Sequence, residues 1–255
     1  MEIQGVRAIV TGATGGIGKA VAESLLQNGA AKVGLLARNP SKLETLSSEL
    51  KQGHEDDRII PMLADIGDQE AVCKVFDEYN QQVGGLDLLV NNAGVLIDGA
   101  IFAVSFKGMS KYPLASWNET LQTNLTGVFI CTQNAVEIMA RKRVKGLVIS
   151  ISSISRKGRS GQTAYSASKG GIVSFTFALA RELAPYRIRA CAIAPGLVDT
   201  PMAHTIPEDY RNEMISHISV GRIGRPEEVA HAVKFCVENE FFNGSVLELD
   251  GGEYD

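Results

Sequence analysis

The sequence predicts an α/β protein, with a single doubly wound parallel sheet of about seven strands, helices on both faces, and one domain spanning residues 1–255. Three observations carry that expectation. Short apolar runs alternate with amphipathic stretches along the chain, so crossovers between strands read as helices. A glycine-rich turn stands directly between the first apolar run and the first helical pattern. No internal repeat, low-complexity linker or shift in composition marks a second domain.

The first strand, Val6 to Val10, runs into Thr11-Gly12-Ala13-Thr14-Gly15-Gly16-Ile17-Gly18, and the helical pattern Ala20 to Leu26 follows. Glycines there let backbone approach a pyrophosphate, while a helix N-terminus offers free N–H groups and a partial positive charge. Lys32 to Ala37 reads as a second strand and Ser41 to Leu50 as a helix, with Ser41 as its cap and Glu44 three residues on. The third strand is Ile59 to Ala64, where Pro61 argues against a regular central position. An amphipathic helix, Asp68 to Val83, precedes a fourth strand, Leu86 to Val90, that ends on Asn91-Asn92-Ala93-Gly94.

Val95 to Pro113 is less regular and leads into a long helix from about Ser116 to Arg143. Gly146 to Ser153 is the fifth strand, Ala164 to Leu183 a helix stopped by Pro185, and Ile188 to Ala194 the sixth strand, stopped by Pro195-Gly196. A polar stretch, Asp199 to Ser219, comes next. The last helix, Pro226 to Val237, has a proline suited to its first turn and precedes the final strand, Val246 to Asp250.

Composition excludes several function classes. With 25 basic against 29 acidic residues and a net charge of -4, nothing favours a nucleic-acid or anionic-membrane partner. No apolar run approaches the ~18 residues of a membrane span, and no leader precedes the first motif, so the cytoplasm is the expected compartment. Cys73, Cys131, Cys191 and Cys236 lack the spacing of a metal or redox site and read as reduced thiols, and no metal is expected.

The chemistry centres on Tyr165-Ser166-Ala167-Ser168-Lys169. At about 3.6 residues per turn, phenol and ammonium share one helix face. A free tyrosine, with pKa near ~10, is a poor acid or base at neutral pH. A lysine cation ~4 Å away, at an effective dielectric of ~20, favours the phenolate by ~4 kcal/mol before desolvation is counted. Such pairs also occur by chance on exposed helices, so the rest of the chain must support the assignment.

That support is a full set of motifs in order, from Gly12, Gly16 and Gly18 through Asp65, Asn91-Asn92-Ala93-Gly94, Asn124, Ser152-Ser153, Tyr165, Lys169 and Pro195-Gly196 to Thr200, closing on Leu249-Asp250-Gly251-Gly252. In this the chain resembles the classical short-chain dehydrogenases/reductases along essentially its full length, with overall likeness to their 3-oxoacyl-carrier-protein reductases. The resemblance implies a Rossmann-like fold and NAD(P)-dependent interconversion of an alcohol and a carbonyl, with Tyr165 as general acid or base. Lys169 would lower the tyrosine pKa and hydrogen-bond the nicotinamide ribose, a serine would bind the substrate oxygen, and Asn124 would hold a water linking Lys169 to solvent. The cofactor would rest on Gly12, Thr14, Gly16, Ile17 and Gly18, on Asp65 and Ile66 near the adenine, on Asn91, Ala93 and Gly94, and on Pro195, Gly196, Val198 and Thr200. A homotetramer, or failing that a homodimer, built through the long central helices and the C-terminal strand is implied as well.

Two positions strain the match. Aligning the strand favours Ser153 as the active serine, whereas counting back from Tyr165 by the family's usual spacing lands on Ser152. Ser153 is preferred, because a loop absorbs a deletion more easily than a strand absorbs a one-residue slip. At the end of the second strand, where an NAD site carries a carboxylate, the chain has Ala37-Arg38-Asn39, and a guanidinium there favours the 2′-phosphate of NADP(H). The expectation is therefore a reductase of a small-molecule carbonyl, its pocket shaped by residues 95–113 and 199–219. The alternatives are an NAD-linked hydroxysteroid, sugar-alcohol or hydroxyacyl dehydrogenase, and a catalytically silent cofactor-binding protein, against which the intact Asn124, serine, Tyr165 and Lys169 set argues.

Overall fold

The computed structural model describes residues 1–106 and 108–254. Its main sheet has seven parallel strands: β1 (Arg7–Thr11), β2 (Lys32–Ala37), β3 (Ile59–Leu63), β4 (Leu88–Asn91), β7 (Leu147–Ile151), β8 (Arg189–Pro195) and β9 (Val246–Leu249). Their spatial order is β3-β2-β1-β4-β7-β8-β9. The chain winds outward from β1 to β3, returns to β4 beside β1, and winds the other way to β9. That reversal between β1 and β4 is the switch point outside which doubly wound sheets bind ligands.

Strand residues alternate between two cores, as a period of two requires. On one face Ala8, Val10, Val33, Leu35, Ile149 and Ile193 pack against α1 (Gly16–Gln27), α2 (Pro40–Lys51) and α8 (Pro226–Glu238). On the other, Ile9, Leu36, Leu89 and Val148 pack against α3 (Gln69–Val83), α5 (Gly127–Arg141) and α6 (Thr163–Glu182). Each fully buried Leu or Ile in these layers contributes about 1.5–3 kcal/mol from burial.

Local chemistry accounts for the ends. β3 is an edge strand, which is how the sheet accommodates Pro61 opposite Leu35. The expected Ser41 cap is displaced: Asn39 Oδ1 accepts from Lys42 N at 3.0 Å, with Pro40 opening α2. Asp68 caps α3 at Ala71 N, 3.1 Å away, and left-handed Gly84 ends it.

Three regions differ from expectation. Residues 95–113 contain an antiparallel hairpin, β5 (Phe102–Ser105) and β6 (Gly108–Lys111), with Phe102, Val104 and Met109 turned to solvent. The single long helix expected from Ser116 to Arg143 is α4 (Leu114–Leu121) and α5 joined by a π-helical turn, Gln122–Thr126. The polar stretch 199–219 contains a further helix, α7 (Glu208–Ser216). Among the described residues no helix is long and apolar enough to cross a membrane, and no cluster of ligating side chains forms a metal site.

Candidate active site

A cavity of about 420 Å³ opens along the C-terminal ends of the strands, at the switch point between β1 and β4. The glycine loop after β1 forms its floor. Gly12 has φ 63, and a Cβ there would lie 2.7 Å from Ala93 Cα. Only glycine serves here. A Cβ on Gly18 would stand 2.3 Å from Gly12 O and 2.7 Å from Asn92 Nδ2, so this glycine lets α1 pack onto the loop. No side chain caps α1 and no acidic residue stands in its first turn, so nothing on the chain competes there with an anion. These features fit a dinucleotide pyrophosphate.

At the far end, Arg38 follows β2 and Asp65 follows β3. Arg38 Nη1 lies 3.9 Å from Asp65 Oδ2, both side chains well exposed, while Asp65 Oδ1 accepts from Gly67 N at 2.8 Å. Lys42, at the start of α2, joins Arg38 on the cavity wall.

The end that holds the candidate catalytic residues is assembled by β7, α6 and the π turn. Tyr165 stands in the first turn of α6 and Lys169 one turn later, its Nζ 5.6 Å from the centre of the tyrosine ring. Lys169 is nearly buried and donates to Ile151 O at 2.7 Å. Burial pushes its pKa down to about 8. Burial acts oppositely on the phenol, driving it up to about 12, against a lowering hydrogen bond with Ser153 and with a further rise from the charge of Asp98. Desolvation is thus the largest influence on the phenol, and it acts against the lowering that the sequence assigns to Lys169.

The two serines separate cleanly. Ser152 Oγ donates to Lys169 O at 2.8 Å, whereas Ser153 Oγ accepts from Ser155 N at 3.1 Å and is the serine whose hydroxyl lowers the Tyr165 pKa. Asn124 is fully buried; its Oδ1 accepts from Val95 N at 2.7 Å and its Nδ2 donates to Val95 O at 2.8 Å and to Ser168 Oγ at 3.2 Å. Its amide thus clamps the strand β4 exit to α6. Gly127 permits the accompanying turn, since a Cβ would meet Ile66 Cγ1 at 2.7 Å.

Most positions marked in the sequence meet on this one cavity: Gly12, Thr14, Gly16, Ile17, Arg38, Asp65, Ile66, Ala93, Gly94, Ser153, Tyr165, Lys169, Pro195, Gly196, Val198 and Thr200. Gly18, Asn91 and Asn124 do not line it. Asn91 turns into the core, donating to Thr132 Oγ1 at 3.0 Å with Oδ1 unpaired, and the neighbouring Asn92 holds the glycine loop instead, through Thr11 O and Gly12 O at 3.1 Å each. A strand's alternation decides which of the two faces the cleft. Among the described residues of 95–113, Val95 and Leu96 alone reach the cavity, while 199–219 contribute Met202, Ile206 and Met214 among others. Lys42, Arg159 and Gln162 were not foreseen. Arg159 and Gln162 sit in the loop just before Tyr165, and that proximity was the available signal.

The comparisons agree with this geometry. A family model described as short chain dehydrogenase matches residues 7–211. The 3-oxoacyl-(acyl-carrier-protein) reductase FabG of Thermotoga maritima is 35% identical over 256 residues, covering 99% of each chain. Its counterpart in Aquifex aeolicus is 35% identical over 259 residues, covering 100% of this chain and 99% of the relative. Among solved structures, a provisionally assigned gluconate dehydrogenase of Agrobacterium tumefaciens superposes with a TM-score of 0.89 at 27% identity, over 98% of this chain and 96% of that one. With the sheet order, the glycine cradle and the Ser153, Tyr165 and Lys169 cluster, these matches establish that the chain belongs to the short-chain dehydrogenase family, NAD(P)-dependent oxidoreductases acting between CH–OH and C=O groups.

Proposed function

We propose that this protein is an NADPH-dependent carbonyl reductase in which Tyr165 is the proton donor. The observation that carries this is the convergence of Ser153, Tyr165 and Lys169 on the end of a cavity whose other end presents Arg38 and Lys42. Bound nicotinamide supplies the hydride. Ser153 hydrogen-bonds the substrate oxygen and orients the carbonyl against the Tyr165 hydroxyl. As charge develops on that oxygen, Tyr165 Oη delivers its proton and the Lys169 ammonium stabilises the phenolate left behind. A phenol raised to about 12 is a reluctant acid, so Lys169 and a cationic neighbour are needed to make it useful.

Arg38 and Lys42 support NADP(H) over NAD(H): a guanidinium grips a 2′-phosphate through parallel charge-assisted hydrogen bonds, and the ammonium adds a point charge. Asn124 is a positioning residue that fixes Val95 and α6. The relatives named as 3-oxoacyl reductases support a ketone substrate and the reductive direction. Phe129 and Phe177, 50% and 38% exposed on α5 and α6, support an oligomer formed through those helices, and gel filtration with light scattering tests it.

The test of the reading is NADPH consumption, followed by its absorbance, across ketones, 3-oxoacyl thioesters and quinones. Turnover of one class supports it. Tight nucleotide binding with no carbonyl reduced across the panel favours the silent cofactor-binding alternative.

A further inference from the structure

The catalytic end of the cavity carries a cation and an amide that proton transfer does not use. Arg159 lies in the loop between β7 and α6, lines the cavity, and has a side chain 29% exposed. Its Nη2 is 3.3 Å from Glu253 Oε1. The Glu253 carboxylate is itself lodged against Gly196, where an added Cβ would meet Oε2 at 3.3 Å. Glu253 therefore braces the guanidinium from the side of the C-terminal segment. On the loop side, Arg159 N donates to Ser166 Oγ at 3.2 Å and Arg159 O accepts from Gln162 N at 3.1 Å. Both contacts tie Arg159 to the first turn of α6, the turn that carries Tyr165.

Gln162 also lines the cavity. Its Oε1 accepts from Ser155 Oγ at 3.0 Å, which fixes the amide so that its NH₂ is the end left to donate. The cavity wall thus offers a guanidinium fork and an amide donor within one turn of the reacting tyrosine. Around them the lining is apolar, with Leu96, Ile154, Met202, Ile206 and Met214. A neutral apolar substrate would leave these donors against hydrocarbon, a loss for groups partly withdrawn from water. A carboxylate satisfies both, since the guanidinium carries five N–H donors in a fork whose geometry matches a carboxylate at two points. Asp98, the anion facing Tyr165 from the loop after β4, is exposed and screened by water.

We infer that Arg159 and Gln162 anchor a carboxylate on the substrate, so that the preferred carbonyl compound is an oxo acid with an apolar body between its two ends. This inference rests on the carbonyl-reductase reading and names its substrate class.

The experiment compares acetoacetate and levulinate with their methyl esters in the NADPH-coupled assay, using the parent, Arg159→Ala, Arg159→Lys and Gln162→Ala. A charge-assisted hydrogen bond of about 1.5–3 kcal/mol corresponds to roughly 10–150-fold. The parent should favour the acids through KM, and Arg159→Ala should raise the acid-to-ester KM ratio by about tenfold or more. Arg159→Lys should recover part of that ratio, and Gln162→Ala should shift it less. Calorimetric titration of the same acids and esters onto the protein with NADP⁺ reads the anchor without turnover. Acids binding no better than esters, or Arg159→Ala weakening both alike, overturns the anchor. Arg159-dependent acid binding with no reduction of any carbonyl leaves the anchor standing and overturns the carbonyl-reductase reading instead.

Discussion

Lys169 Nζ lies 5.6 Å from the centre of the Tyr165 ring while its hydrogen bond goes to Ile151 O at 2.7 Å. The two groups that would share the reaction's proton are held together, yet burial pulls each towards its neutral form, Lys169 down to about 8 and Tyr165 up to about 12. The fold therefore bears the cost of a buried ammonium at neutral pH.

That cost has a signature in pH. Between about 8 and 10.5 the unfolded chain still holds the Lys169 proton that the folded chain has released, so stability rises with pH through this window. Below it both states are protonated and the slope vanishes. At 1.36 kcal/mol per unit the rise amounts to about 3 kcal/mol. Buried Cys131 and Cys191, with raised pKa values, oppose it in every variant alike. Urea unfolding of the parent and Lys169→Met across this range should differ by that slope, and parallel curves would contradict it.

In the proposed mechanism Ser153 serves chemistry and Ser152 structure. Ser153→Ala should lower kcat about 10²-fold or more, in line with the loss of a donor to a developing oxyanion. Ser152→Ala should chiefly lose about 1 kcal/mol of stability with its bond to Lys169 O. Steady-state kinetics on both variants, with their unfolding midpoints, would reverse the assignment if Ser152 carried the larger loss in kcat.

Asn124 satisfies both polar groups of the Val95 backbone. Asn124→Ala strands them at the mouth of the cavity and should cost at most about 2–6 kcal/mol, since each unsatisfied buried group costs about 1–3 and these two are part-buried. Chemical denaturation should show the loss directly. A midpoint unchanged from the parent would mean that the clamp contributes little.

Arg38→Ala should raise KM for NADPH by roughly 10–100-fold and leave that for NADH within a few-fold, because only one of the two cofactors loses a charge-assisted contact. Equal use of both cofactors by the parent would contradict the assignment of Arg38.

The seven strands and the glycine cradle were legible because period-two apolar runs and a strand, glycine loop and helix order are local signals. The spacing of Tyr165 and Lys169 placed them on one helix face, and the ordered motifs around them, not the spacing alone, singled them out. The π turn at Gln122–Thr126 was not, because it answers a tertiary demand, the reach of Asn124 to Val95 and the passage of Gly127 by Ile66. The same holds for the poise of Tyr165, since spacing announces the lysine but not the desolvation that raises the phenol. The hairpin after β4 did leave a trace, the alternation Phe102-Ala103-Val104-Ser105-Phe106 before Gly108. Helix α7 left little, since its apolar residues are sparse and Met214 alone is buried.

The most direct test of the account is Tyr165→Phe in the NADPH-coupled assay, with nucleotide binding measured in parallel by fluorescence titration. Removing only the hydroxyl should cut kcat on the best carbonyl substrate by about 10²–10⁴-fold while the NADPH Kd stays within a few-fold of the parent. A variant that retains most of the parent's turnover would contradict Tyr165 as the proton donor, and with it the central claim.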